Sequence, residues 1–260
     1  QTVALNSDVL VNIDLNQVFH LHNTTEQKVT VVYKKLPKEL ISDVNSILEI
    51  DESDKVLSHE LFQGGDKEAY NMSTDIFVVD TPFLIAKLEE EAAKEEPRKL
   101  RYVLRDLAVA ENAFAYEYTG YLSNIHSVKA YFDANLDMLE SHKFYKLFAP
   151  NQKVYTKVKN EEPTYYSDSS EVKLSQFASG SIVRGKVENS VISRNVDLSE
   201  GSSVSHSILF PRVKVAKGAT VEYAIVDKGV EIAEGVTIRG TENNPVVIKK
   251  GSVVTEDIVR

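Results

Sequence analysis

From Ile192 onward aliphatic side chains return in sets of three, six residues apart within a set and five between sets. Ile192, Leu198 and Val204 line up with Leu209, Val215 and Val221, and these with Val226, Ile232 and Ile238, so that sets spaced by six recur every seventeen residues. Further columns keep the same period: Gly201, Gly218 and Gly235; Val196, Val213 and Val230; and the small residues Ser190, Ser207 and Ala224. One inward apolar residue per six suits a coil with three flat faces, in which each short strand stacks on its equivalent in the next coil. Glycine at a recurring corner supplies a left-handed backbone at no steric cost. The pattern predicts a left-handed parallel β-helix of hexapeptide repeats over residues 166–260. A β-sandwich is the weaker account, because its strands alternate with period two.

Residues 1–140 follow a different pattern, with short β-rich runs alternating with amphipathic helices, as in an α/β domain. Val3–Leu5, Val9–Val11, Lys28–Lys35 and Asp75–Val79 read as strands. Asp14 and Gln17 suggest a capping box that opens a helix with Leu15, Val18 and Phe19 on one face. Pro82 suits the first turn of a second helix running to about Glu95, with Leu84, Ile85 and Leu88 toward the sheet. A helix from Ser127 places Val128, Tyr131, Phe132, Leu136 and Leu139 along one core-facing stripe. Residues 141–165, with the polar run from Lys157 to Pro163, read as a linker.

Composition narrows the classes. The 42% hydrophobic content supports a real core, and 39 acidic against 30 basic residues give a net charge of −9, which argues against nucleic acid or anionic lipid as partners. The chain has no cysteine, so disulfides, thiolate metal sites and a cysteine nucleophile are all excluded, and a reducing cytoplasm is the expected setting. No apolar run reaches the ~20 residues that span a bilayer, so no membrane association is expected.

Hexapeptide β-helices accompany several chemistries, so the repeat alone leaves function open. The segment Gly120-Tyr121-Leu122-Ser123-Asn124-Ile125-His126-Ser127, followed by a helix ending Ala134-Asn135-Leu136-Asp137-Met138-Leu139, resembles the close of the catalytic domain in bacterial ADP-glucose pyrophosphorylases (glucose-1-phosphate adenylyltransferases). Leu5-Asn6-Ser7-Asp8 through Asp14 is similar to the family's Ser-Gly-Asp strand end, Ser73-Thr74-Asp75-Ile76-Phe77 to its Ser-Met-Gly-Ile-Tyr segment, and Val187–Ile192 and Ile225–Lys228 to its β-helix coils. The resemblance implies a partial Rossmann-like nucleotidyltransferase domain joined to the β-helix. It also implies an Mg²⁺ ion held by Asp8 and a second carboxylate, and a sugar-phosphate contact at Ser73.

The departures from the family pattern are more informative. Asn124 stands where the second carboxylate would be, and one carboxylate is a weaker magnesium anchor than two. The family's Glu-Lys-Pro clamp has no counterpart in Phe62–Glu68 unless Lys67 serves in a shifted alignment. Asp75 replaces a glycine beside the sugar-phosphate serine, where a free negative charge would repel the ligand. His126 also replaces a glycine. The family's glycine-rich nucleotide loop precedes the strand at which this sequence begins, and Gly64-Gly65 reads as a turn. These losses are similar to the D-type subunit of bacterial glycogen synthesis, which partners a catalytic homologue. The expectation is therefore a regulatory or catalytically impaired subunit that binds a catalytic homologue or itself. The chain as given is expected to bind neither ATP nor Mg²⁺ and to transfer no adenylyl group. A competent adenylyltransferase subunit and a β-helix acyltransferase using His206 as general base are the alternatives. His206 reads more simply as a solvated corner, and His20 and His22 as surface residues of a short helix.

Overall fold

The computed structural model describes residues 1–148, 153–157 and 159–260, and its contacts fall into two compact units, Gln1–His126 and Ser127–Arg260. Val158 and residues 149–152 of the expected linker lie outside the described residues.

The first unit is built of β1 (Thr2–Ala4), β2 (Val9–Val11), α1 (Leu15–Thr24), β3 (Val29–Pro37), β4 (Ser46–Ile50), β5 (Val56–Leu61), β6 (Ala69–Val79), α2 (Thr81–Ala92), α3 (Leu100–Ala110), β7 (Phe114–Glu117) and β8 (Leu122–Asn124). The main sheet runs β5-β4-β6-β3-β7, with β1 added antiparallel to β6, while β2 and β8 form a separate antiparallel ribbon. In the main sheet only β3 and β7 run parallel. Strand β3 is apolar on both faces because helices cover both. Val29, Val31 and Tyr33 meet Val103, Leu104 and Leu107 of α3, and Val32 on the other side meets Val18 of α1. This is the expected Rossmann-like α/β arrangement.

Several local expectations hold with amendments. Asp14 caps α1 by accepting from the Asn16 N–H at 3.0 Å, but Gln17 bonds the Asp14 carboxylate at 3.3 Å instead of reaching back to its backbone. Pro82 lies in the first turn of α2, and Leu84 is buried, whereas Ile85 is turned out to solvent because it falls one residue round from the apolar face. His22 is not a surface residue. It is 1% exposed and its Nδ1 lies 2.8 Å from Thr30 Oγ1, because it sits four residues after Val18 on the face of α1 that meets β3. His20 points outward.

The second unit opens with α4 (Val128–Leu136), capped by Ser127 Oγ accepting from the Ala130 N–H at 3.0 Å, and α5 (Ser141–Leu147). Phe132 of α4 is 1% exposed and packs on Ile208 and Ile225, while Val128 of the expected stripe is exposed. The rest is a parallel β-helix whose three sheets contain 6, 5 and 6 strands. Ile192 pairs with Leu209 and Leu209 with Val226; Leu198, Val215 and Ile232 stack in a second sheet and Val204, Val221 and Ile238 in the third, all buried.

The corners show more order than the glycine column alone predicts. Gly201, Gly218 and Gly235 have φ of 71°, 70° and 74°, but Asn189, His206 and Tyr223 form a second left-handed column (45°, 44°, 47°) and Asn195, Arg212 and Gly229 a third (58°, 65°, 66°). The small-residue column is a hydrogen-bond ladder. The N–H of Ser190, Ser207 and Ala224 donates to the hydroxyl of Ser175, Ser190 and Ser207 respectively, each at 3.1 Å, where the corner leaves no main-chain acceptor in register. No helix among the described residues is long and apolar enough to cross a membrane.

Candidate functional site

Two clusters in the first unit hold the residues singled out from sequence. The first lies on the β2–β8 ribbon. Val9 pairs with Asn124, and the Ile125 N–H donates to the Asp8 carbonyl at 2.7 Å, so the fold brings Asp8 and Asn124 onto neighbouring strands. Asp8 is half-buried and leads into an antiparallel strand; it does not end a strand of an open parallel sheet. Asn124 is 7% exposed and its side chain is committed. Its Nδ2 donates to Asn45 Oδ1 at 2.7 Å and to the Leu40 carbonyl at 3.4 Å, and Asn45 Nδ2 donates back to Asn124 Oδ1 at 3.3 Å.

These residues do not fit a magnesium ion. A hard cation wants several oxygens carrying negative charge, whereas the amide oxygen of Asn124 is already paired and a carbonyl faces its nitrogen. Among the described residues, no group of three or more histidine, aspartate or glutamate side chains could hold a metal. His126 turns its Nδ1 toward the Asn124 carbonyl at 3.2 Å, a contact within the ribbon. Gly64 and Gly65 lie in an irregular segment with φ of 88° and 147°, and Lys67 places its ammonium 6.0 Å from the Tyr70 ring centre.

The second cluster surrounds Ser73 on β6. Ser73 is 5% exposed; its hydroxyl accepts from the Asp75 N–H at 3.2 Å and donates to Asp75 Oδ1 at 3.4 Å. Asp75 is not the free charge expected from sequence. Its carboxylate receives Arg105 Nε at 3.2 Å and Nη2 at 2.7 Å, and Arg101 Nη2 at 3.1 Å, all from α3. His59 of β5 completes the surroundings, with Nε2 2.9 Å from Ser46 Oγ and 3.9 Å from Asp75 Oδ1. Burial is the main cause that lowers the His59 pKa to about 4, with Asp75 opposing and Arg105 reinforcing it. Sequence reading missed Arg101, Arg105 and His59. The signal available was the spacing of Arg101 and Arg105 by four on a helix, which puts both on one side.

In the second unit His206 is half-buried, not a solvated corner. Its ring stacks on Tyr223 with centroids 4.8 Å apart, its Nε2 lies 3.1 Å from Asn189 Nδ2, and its Nδ1 is buried without a partner. The reason is the column itself: equivalent corners of successive coils are in contact, so Asn189, His206 and Tyr223 cover one another.

A Rossmann-like α/β unit followed by a hexapeptide β-helix defines the class of hexapeptide-bearing, nucleotidyltransferase-like proteins. A family model described as GlmU-like, C-terminal hexapeptide, matches residues 160–259. The chain is 34% identical over 197 residues to the glycogen biosynthesis protein GlgD of Bacillus subtilis, covering 76% of this chain and 55% of that protein. It is 53% identical over 127 residues to GlgD of Geobacillus stearothermophilus, covering 49% of this chain and 37% of that protein. To the glucose-1-phosphate adenylyltransferase of Thermosipho africanus it is 25% identical over 212 residues, covering 78% of this chain and 49% of that protein. The chain spans about half the length of the curated relatives it matches. It belongs with the GlgD-type, ADP-glucose-pyrophosphorylase-like proteins.

Proposed function

We propose that the protein to which this chain belongs is a regulatory or catalytically impaired subunit of a glucose-1-phosphate adenylyltransferase, partnering a catalytic homologue that makes ADP-glucose in the cytoplasm. The observation that carries this reading is the Asn45–Asn124 pair. The reaction joins two phosphate-bearing substrates, and its main requirement is neutralisation of their charge, which the family meets with a metal between two carboxylates. Here Asp8 would be the one remaining carboxylate, and the second position holds a buried amide whose hydrogen bonds are internal. Ser73, the position that would meet the sugar phosphate, has its hydroxyl tied to Asp75. The β-helix would supply assembly contacts. The acyltransferase alternative is disfavoured by the burial of His206 Nδ1 and the stacking of its ring.

The test is ADP-glucose formation by the full-length protein, purified alone and with the homologue co-expressed. Turnover near background alone, and altered turnover or effector response of the homologue in its presence, supports the proposal. Turnover alone that matches the homologue refutes it.

A further inference from the structure

Asp75 sits where β6 breaks register with β3. Val32 pairs with Ile76 but Tyr33 pairs with Ser73, so Thr74 and Asp75 bulge out of the ladder. Asp75 takes a left-handed backbone, φ 52°. For a non-glycine residue that conformation is strained, and strain of this kind concentrates at functional positions. A bulge also re-aims a side chain, and here it delivers a carboxylate into a prepared set of donors.

Arg105 grips that carboxylate with two nitrogens, Arg101 adds a third and the Ser73 hydroxyl a fourth. Behind them the His59 side chain has no exposure, stacks on Phe77 at 6.1 Å between centroids, and has a buried Nδ1 with no hydrogen-bond partner. A pocket of about 150 Å³ opens beside the cluster between Leu5, Asn6, Phe77 and Leu100, with Asp75 and Arg101 in its wall. Planar guanidinium forks bind phosphate, sulfate and carboxylate oxygens by the same geometry. One arginine is enough to pair one buried carboxylate; here two arginines and a hydroxyl converge on Asp75, and Arg101 among them also lines the open pocket, which exceeds what an aspartate needs.

We propose that Arg101, Arg105 and Ser73 form an oxyanion site of the phosphate or sulfate class, and that the Asp75 carboxylate occupies it as the protein's own plug. The wild-type pocket is then closed to free oxyanions, and removing the carboxylate opens it. This deepens the proposed reading, on which it rests for the place of Ser73, and adds Arg101, Arg105 and the Asp75 plug; phosphate binding by the chain tests it apart from turnover of the full-length protein.

The test uses the 260-residue chain and inorganic phosphate. Wild type, Asp75→Gly and Asp75→Asn are titrated with phosphate by calorimetry and followed by thermal unfolding, against sodium chloride of matched ionic strength. Asp75→Gly removes the charge and relieves the backbone; Asp75→Asn keeps the side-chain volume. The expected result is no phosphate-specific effect on wild type and at least tenfold tighter phosphate binding by Asp75→Gly, or by Asp75→Asn where the glycine variant does not fold. That binding should be competed by sulfate and lost when Arg101→Met is added. A folded Asp75→Gly chain that binds phosphate no better than wild type overturns the proposal. So does failure of both variants to fold with phosphate present, since the cluster would then be a structural ion pair.

Discussion

Replacing Asn124 with aspartate would restore the family's second carboxylate on paper, and the structure predicts that it fails. The Asn124 amide nitrogen donates to Asn45 Oδ1 at 2.7 Å and to the Leu40 carbonyl at 3.4 Å. An aspartate loses both bonds, each with a net value of about 1 kcal/mol, and sets a buried carboxylate against two oxygen acceptors at about 1–3 kcal/mol more. Asn45 can turn its amide to recover part of this, which brings the expected loss to about 2–4 kcal/mol near pH 7.5. The sign with pH follows from the same geometry. Burial among acceptors raises the folded-state pKa of the new carboxyl above its unfolded value of about 3.9, so the deficit grows as pH rises through the folded pKa and shrinks toward acid. Urea midpoints of wild type and Asn124→Asp, compared near pH 7.5 and near pH 5 with and without millimolar magnesium, measure it. A variant as stable as wild type near pH 7.5, and stabilised further by magnesium, would show that the carboxylate swings to Asp8 and builds a metal site, and the reasoning would be wrong.

Two further outcomes follow from buried polar groups. Ser207→Ala leaves the Ala224 N–H without its acceptor at 3.1 Å and should cost about 1–3 kcal/mol in the β-helix transition, while Ser203→Ala on the outward side of the neighbouring strand stays within about 0.5 kcal/mol; equal stability of the two variants refutes the ladder. His59 has its pKa lowered to about 4 by burial, so the stability it supports is fully present above the unfolded value of about 6.5 and declines as pH falls toward 4, by about 2 kcal/mol between pH 7.5 and pH 5. His59→Asn should flatten the stability curve over that window, and an unchanged slope would assign it to other groups.

The β-helix was legible because its period is enforced at every inward position, but only from about Ser190. The preceding coil is shorter: Val183 pairs with Leu198 and Val187 with Val204, so the turn between them skips two residues. Gly185 makes that shortcut, since a Cβ there would lie 2.5 Å from the Ser202 carbonyl oxygen. At the other end Val226 pairs with Ile248, the chain having looped out through Thr241 and Asn244. A fixed period cannot register either event. In the first unit β1, β2, β3, the second half of β6 and the starts of α1 and α2 were visible locally, whereas β4, β5, β7, β8 and α3 were not read, and Asp8, Asn124 and Ser73 were found through resemblance. What stayed hidden was pairing between distant segments. Asp75 reads as a stray charge until α3 folds over β6 and supplies Arg101 and Arg105. His22 reads as a surface residue until Thr30 stands opposite. Spacing reveals which face a residue occupies, but not what another element brings to it.

The outer faces of the β-helix differ in a way that bears on how its length could vary. Ion pairs step from coil to coil on two faces, as in Lys173–Glu188, Glu222–Arg239 and Lys214–Glu231, and each such step involves neighbours alone. On the remaining face Ile208 and Ile225 are roofed by Phe132, which ties two particular coils to one particular helix. Whole turns could therefore be gained or lost toward either tip with little disturbance, whereas the pair beneath Phe132 serves as the fixed point from which any change in turn number has to be counted.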